Sequence, residues 1–378
     1  MAEEIVWRVL CVDDDEYIGA QVKDYLSSEI MAPGSRTEVE TLNNFEGALA
    51  TLESQHFDIL ILDVRLGRPE SDIEADDEAG PLTLRSIQEK RFLPVIFYTG
   101  LPQKVEHLQS SLIKVVEKTE GVGTLFDKMK DIFETGLPEV NRAILRHVQQ
   151  VQRDYMWNFV GPQWQKISAT EDRAGLAYLL ARRLAMSLSG PNIQELMRAL
   201  GASSAPAPEA GKVHPMQYYI MPAINATLLA GDIMKFAIGE NTEYWIVLTP
   251  SCDLEQKKAE YIKFARCVLL NDQKEYVEFM ENKQDGNIRG RLKGLLTNNR
   301  QKVQADRFHY LPGTLYLPHL VIDFQQTRTL PLEDVNVTHR VASLDSPFAE
   351  AVVVRYTRYT GRLGTPDIDV DGIMGGLT

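Results

Sequence analysis

Apolar positions along this chain change their period twice. Up to about residue 136, short and nearly continuous apolar runs alternate with stretches whose apolar residues recur every three or four positions. The runs are Val9-Leu10-Cys11-Val12, Ile59-Leu60-Ile61-Leu62, Val95-Ile96-Phe97-Tyr98 and Leu112-Ile113-Lys114-Val115-Val116. Runs of this kind mark strands buried on both faces. A weaker strand is expected at about residues 37–41. The intervening stretches predict helices over about 16–26, 44–53, 80–90, 102–110 and 123–134. The last carries Leu125, Phe126, Met129 and Ile132 as one stripe. Strict strand–helix alternation predicts a doubly wound, five-stranded parallel sheet.

From about residue 139 the helical period takes over. Ile144, Val148, Val151, Tyr155 and Phe159 share one stripe. Gly161-Pro162 predicts its end. Ser168-Ala169-Thr170-Glu171 reads as a capping box opening a second helix, with Leu176, Leu179, Leu180, Leu184 and Leu188 as its apolar face, and a third short helix runs to about residue 200. Residues 202–211 form an Ala/Pro/Ser linker too poor in apolar groups to fold. Beyond about His214 the pattern turns to short β runs: a strand, Gly231-Asp232 turn and strand near 223–233, then 244–249, 261–269, 308–311 and 319–324. A helix over about 348–359 closes the chain. Many short strands with Gly and Pro turns predict a small barrel. The expected organisation is therefore multidomain α/β plus α plus β: 1–136, a helical connector at 137–200, a flexible linker at 201–213, and a β-rich module at 214–378.

The strands of the first segment end in chemistry. The first closes on Asp13 and Asp14, the second on Asp63, the third on Thr99 and the fourth on Lys118. A parallel sheet gathers these ends at one edge, where open α/β sheets bind ligands. Clustered carboxylates repel one another and call for a hard cation with oxygen ligands, most simply Mg2+. A phosphoryl group arriving on Asp63 would meet the metal, a hydroxyl and an ammonium, the groups phosphoryl transfer needs.

This set resembles the receiver domain of two-component response regulators, over about the first third of the chain. The resemblance implies a CheY-like fold in which Asp63 is the phospho-acceptor, with Thr99 and Lys118 on the phosphoryl oxygens. It implies Mg2+ held by Asp14, Asp63 and the Arg65 backbone carbonyl, with Asp13 acting through water. The implied partner is a histidine kinase or phosphotransfer protein. Two positions depart from the family: Thr119, not Pro, follows Lys118, and Val115 stands where the family often has an aromatic ring. The connection at 68–79 is long and acidic, a solvated loop or a partner-recognition element.

Composition narrows the rest. The chain of 378 residues has a formal net charge of −13, which disfavours nucleic acid as a partner. Its three cysteines, Cys11, Cys252 and Cys267, lack metal-like spacing and fit a reducing cytoplasm. No stretch is apolar enough to span a membrane. The expected function is a cytoplasmic, phosphorylation-dependent regulator whose C-terminal module is a non-DNA-binding output for a downstream protein partner, with a homodimer through the middle helices as one reading of them. The alternative is a receiver-gated enzyme, a nuclease or hydrolase, which would need Cys252 beside a base such as His309 or His319, or Arg307, His309 and Asp323 converging in a pocket. Gly231-Asp232-Ile233 followed by Ile246-Val247-Leu248-Thr249 resembles, over a few residues, the SH3-like barrel of the PemK toxin family. Arg355, Arg358 and Arg362 at helical spacing offer an anion-binding face or a solvated one.

Overall fold

The computed structural model describes residues 5–32, 34–65, 79–170, 173–188, 212–238, 241–301, 303–362 and 368–377. The acidic connection, the short helix before residue 200 and the Ala/Pro/Ser linker fall outside them. Internal contacts divide the chain into two units, 1–207 and 208–378, with the division inside the expected linker.

The first unit holds strands β1 (Ile5–Val12), β2 (Ser35–Leu42), β3 (Ile59–Leu62), β4 (Val95–Thr99) and β5 (Ile113–Glu117) in the order β2-β1-β3-β4-β5, with all pairings parallel. All four residues of β3 and all five of β4 are buried, as continuous apolar runs require when helices cover both faces. Burying an aliphatic side chain contributes about 1.5–3 kcal/mol, so these central strands anchor the unit. On one face Leu10, Leu60, Leu62 and Phe97 pack with α2 (Phe45–Ser54) and α3 (Ala79–Lys90). On the other, Val9, Ile61 and Ile96 pack with α1 (Glu16–Ser28) and with Leu125, Phe126, Met129 and Ile132 of α4 (Gly121–Phe133). Asp15 and Asn44 cap α1 and α2, each accepting a backbone N–H two or three residues on. The helix expected over 102–110 is instead two single 3-10 turns, Pro102–Lys104 and Glu106–Leu108. Val105 there is fully buried under the sheet while its flanks are exposed. Leu101 and Leu108 pack on the same core beside it, and the turns close on bonds three residues back, Val105 N–H to Pro102 and Leu108 N–H to Val105.

The helical segment begins with α5 (Leu137–Tyr155). Arg142 fixes it to the amino-terminal end of β1: its guanidinium lies 4.5 Å over the Trp7 ring, donates to the Val6 carbonyl and stands 3.9 Å from the Asp58 carboxylate. The break expected at Gly161-Pro162 is absent. A π turn, Met156–Val160, joins α5 to α6 (Gly161–Thr170), with the Gly161 N–H donating to the Met156 carbonyl five residues back. Pro162 cannot donate and its ring crowds the carbonyl four residues earlier; widening one turn relieves the crowding without ending the helix. Ser168 and Thr170 consequently lie inside α6 and do not open a helix. α7 (Arg173–Ser187) returns alongside α5, where His147 Nε2 is 3.1 Å from Ser187 Oγ.

The second unit is a seven-stranded antiparallel sheet in the order β10-β11-β9-β8-β7-β12-β6: β6 (Tyr219–Ile220), β7 (Asp232–Ile238), β8 (Asn241–Val247), β9 (Tyr261–Leu269), β10 (Phe308–Leu311), β11 (Leu320–Pro331) and β12 (Arg340–Leu344). It curls into a half-barrel. The curl brings the two edges together, and the buried Tyr219 hydroxyl of β6 donates to the Pro312 carbonyl just beyond β10 at 2.6 Å. The expected strand before Gly231 is irregular; Asp232, wholly buried, instead binds Ser343, the Leu229 N–H and Arg340, whose guanidinium also ties down the carbonyls of Asn225 and Thr227. Three helices between β8 and β10 were not read from the sequence: α8 (Ser251–Glu255), α9 (Lys274–Glu281) and α10 (Gly286–Leu296). The closing helix is α11 (Phe348–Thr360), followed by α12 (Val370–Gly376). Val352 of α11 joins the core of Ile233, Ile246, Leu311 and Ile322.

Beneath α11, His309 of β10 is buried with its Nδ1 unpartnered. Burial, reinforced by Arg355, lowers its pKa from 6.5 to about 4. Folded His309 thus binds a proton more weakly than unfolded His309. Its neutral form contributes stability above pH 6.5, and this is lost as the pH falls toward 4, by about 3 kcal/mol in all. Urea denaturation of the second unit, followed by hydrogen exchange at pH 7 and pH 4.5, is expected to show this loss in the native chain and a smaller one in His309→Leu.

Candidate functional site

Asp13 follows β1 and Asp63 follows β3, neighbouring strands whose last paired residues are Val12 and Leu62. The Asp13 N–H donates to Leu42 and the Asp63 N–H to Val12, each at 3.0 Å, so the sheet itself sets both carboxylates. They stand between strands whose connections leave in opposite directions, the switch point where open α/β sheets bind ligands. Asp14 follows on the loop. One carboxylate oxygen from each of Asp13, Asp14 and Asp63 lies within 4.8 Å of the others. Asp13 and Asp63 are buried and Asp14 is half-buried.

Lys118, immediately after β5, enters this group. Its Nζ is 2.7 Å from Asp13 Oδ2 and 2.7 Å from Asp63 Oδ2. The remaining oxygens face backbone: Asp13 Oδ1 accepts from the Asp15 N–H at 3.0 Å and Asp63 Oδ1 from the Val64 N–H at 2.6 Å. Burial lifts the Asp13 carboxyl to about 6 against the pull of Lys118. Burial alone would lower Lys118, but Asp63 and Asp13 outweigh it and hold the ammonium above its usual range. Beneath the site, burial pushes the Cys11 thiol up and leaves it un-ionised.

Thr99 ends β4 and is fully buried, with Oγ1 accepting from the Leu101 N–H at 3.1 Å. Arg65 lies two residues beyond Asp63. The structure therefore brings Asp13, Asp14, Asp63 and Lys118 into contact range and sets Thr99 on the adjoining strand end. Two supporting residues went unread. Gly80, opening α3, donates to the Val64 carbonyl at 3.0 Å, and a Cβ there would fall 2.5 Å from the Asp63 carbonyl oxygen. The one sequence sign was a glycine at a helix start. Tyr98 reaches over to the Lys118 carbonyl at 3.4 Å; nothing in an apolar strand marks it.

Three carboxylates with oxygens this close are hard donors at the spacing a small divalent cation uses, and they fit Mg2+. Asp13, Asp14 and Asp63 would hold it.

The C-terminal candidates stay apart. Cys252 is exposed on α8, 3.8 Å from Asp253 Oδ1, and Ser251 Oγ beside it accepts from the Ala230 N–H. Neither histidine is paired with Cys252 among the described residues: His319 Nδ1 takes the Tyr310 hydroxyl and the Gly313 N–H. Arg307 and Asp323 form a two-pronged ion pair, both contacts 2.8 Å, completed by Gln326. Arg355 donates to the Asn298 carbonyl and Arg362 to the Tyr359 carbonyl, so these two do not form a common anion face.

No family model matches this chain, and no curated protein does. Solved structures do. The response regulator TrrA from Thermotoga maritima, in complex with Mg2+ and BeF, is 26% identical with a TM-score of 0.27, covering 33% of this chain and 98% of that one. The receiver domain of a Francisella response regulator is 20% identical with a TM-score of 0.26, over 34% and 98%. A mycobacterial endoribonuclease in complex with its cognate antitoxin is 9% identical with a TM-score of 0.23, over 37% and 99%.

Replacing Lys118 by Ala leaves two buried carboxylates uncompensated, a change of the class that costs about 3–5 kcal/mol. Thermal unfolding in EDTA is expected to begin several degrees lower in Lys118→Ala, and added Mg2+ to raise the variant more than the native chain. The five-stranded parallel sheet at the amino terminus has the strand order of CheY-like proteins, and the structures it resembles are response-regulator receiver domains.

Proposed function

We propose that this chain is a cytoplasmic response regulator that takes a phosphoryl group from a histidine kinase or phosphotransfer protein onto Asp63. The observation that carries this is Lys118 Nζ bridging two buried carboxylates inside a three-carboxylate cluster. In this reading residues 1–136 receive the signal, 137–200 connect, and 214–378 are a non-DNA-binding output module acting on a downstream protein.

The residues divide the reaction between them. An Asp63 carboxylate oxygen attacks phosphorus; the new bond is P–O, and the P–N bond to the donor imidazole breaks, its electron pair remaining on the ring. Mg2+ in this site would neutralise charge on the transferring oxygens, held by Asp14, Asp63 and the Arg65 backbone carbonyl, with Asp13 through water. Val64 N–H orients Asp63 by holding Oδ1. Lys118, already 2.7 Å from Asp63, moves its ion pair from the carboxylate to the phosphoryl oxygens. Thr99 leaves the Leu101 N–H to donate its hydroxyl to the same group. Those exchanged partners are the differential contacts that let phosphorylation favour one of two states.

Incubation with acetyl phosphate and Mg2+ is expected to add one phosphoryl group by intact-mass measurement, and none in Asp63→Ala or with EDTA. Thr99→Ala should still accept the group but lose the change in hydrogen exchange that beryllofluoride induces in the native chain. Modification that persists in Asp63→Ala would end this reading.

A further inference from the structure

Lys118 spans Asp13 and Asp63 with a long, flexible side chain. Holding such a chain in one geometry costs rotamer freedom, so the placement of its backbone decides how well the ammonium bridges the two carboxylates. Little fixes that backbone covalently: Thr119 follows, and no proline ring sets the chain there. β5 is also an edge strand, paired with β4 on one side only. The Val95 N–H of β4 donates to the Leu112 carbonyl. Backbone direction alternates along a strand, so Glu117, an odd number of residues further on, turns its N–H to the open edge. Glu120 Oε1 accepts that N–H at 3.0 Å. The residues between are a single 3-10 turn, Lys118–Glu120, closed by the Gly121 N–H on the Lys118 carbonyl. From β4 the Tyr98 hydroxyl donates to the same carbonyl at 3.4 Å. Gly121, at φ +82, then leads the chain into α4 through a conformation that side-chain-bearing residues rarely adopt.

We propose that Glu120 and Tyr98 are positioning residues for Lys118: by fixing the turn that carries it, they set its ammonium between Asp13 and Asp63. The role rests on the reading of Asp63 as phospho-acceptor, in which Lys118 passes from the carboxylate to the phosphoryl oxygens. Both side chains act on the backbone of the turn, not on phosphorus. Glu120 ties the turn to the end of β5, and Thr99 is the β4 partner of Glu117 in the sheet register. The same hold therefore keeps Lys118 in step with the hydroxyl that serves the phosphoryl group beside it.

The first readout needs no phosphoryl group. Trace acetylation of the full chain with acetic anhydride, without Mg2+ and mapped by peptide mass, reports how firmly each lysine is held, because only the free amine reacts. Glu120→Ala and Tyr98→Phe should each raise Lys118 labelling, relative to the other lysines, by about three- to tenfold, the worth of one hydrogen bond. Glu120→Gln, whose amide oxygen still accepts, should label as the native chain does. Far-UV circular dichroism should be the same in all three. With acetyl phosphate and Mg2+, Glu120→Ala and Tyr98→Phe should slow phosphorylation by a similar factor and Glu120→Gln should restore it. Neither change should slow Lys118→Ala further, since the lysine through which they act is gone. Native labelling of Lys118 in both variants overturns the proposal. So does a Glu120→Gln chain as impaired as Glu120→Ala, or a loss of rate that persists in Lys118→Ala. A native chain that takes up no phosphoryl group ends the Asp63 reading instead, and the labelling of Lys118 still decides what sets its ammonium.

Discussion

One ammonium group holds the first unit's chemistry together. Two buried carboxylates a few ångströms apart repel by about 3–4 kcal/mol at an effective dielectric near 20, and the sheet gives them no freedom to separate, because the N–H groups of Asp13 and Asp63 are locked to neighbouring strands. Lys118 lies between them and offsets that repulsion. It reaches them from the far end of β5, two strands from Asp63. The order of the whole sheet is therefore a condition for the site: β4 spaces β5 from β3 so that a lysine side chain spans the gap.

The strands of this sheet were legible because burial on both faces leaves a continuous apolar run, and the site was legible because each run stops on a polar group at the same edge. Asp13, Asp14, Asp63, Thr99 and Lys118 followed from that pattern. Gly80 and Tyr98 did not, since their roles are a close backbone approach and a reach across strands, neither of which leaves a periodic trace. The turns at 102–108 read as a helix because Pro at an amino-terminal position and polar neighbours suit both; the backbone closes instead on bonds three residues back.

The second unit was legible only as β texture and a closing helix. Its strands fell where β-branched and aromatic residues cluster, but α9 and α10 sit between β9 and β10 in a stretch whose Gly286, Gly290 and Gly294 disguise the helical period. The polar residues picked out there serve architecture. Asp323 holds Arg307 at an irregularity of β11, and Asp232 with Arg340 fastens the loop ahead of β7. Their chemistry is as specific as a site's, and only geometry distinguishes the two uses.

The π turn at Met156–Val160 has a consequence for direction. One extra residue in a turn offsets the helical phase by about 100° for everything downstream. Apolar positions counted from Ile144 through Tyr155 therefore stop lining up with those counted from Trp164 onward. Although the axis is continuous, its two halves present different meridians, and the first is turned to α7. Pro162, which would have ended most helices, here acts as a swivel that lets one rod turn its apolar positions partway along its length.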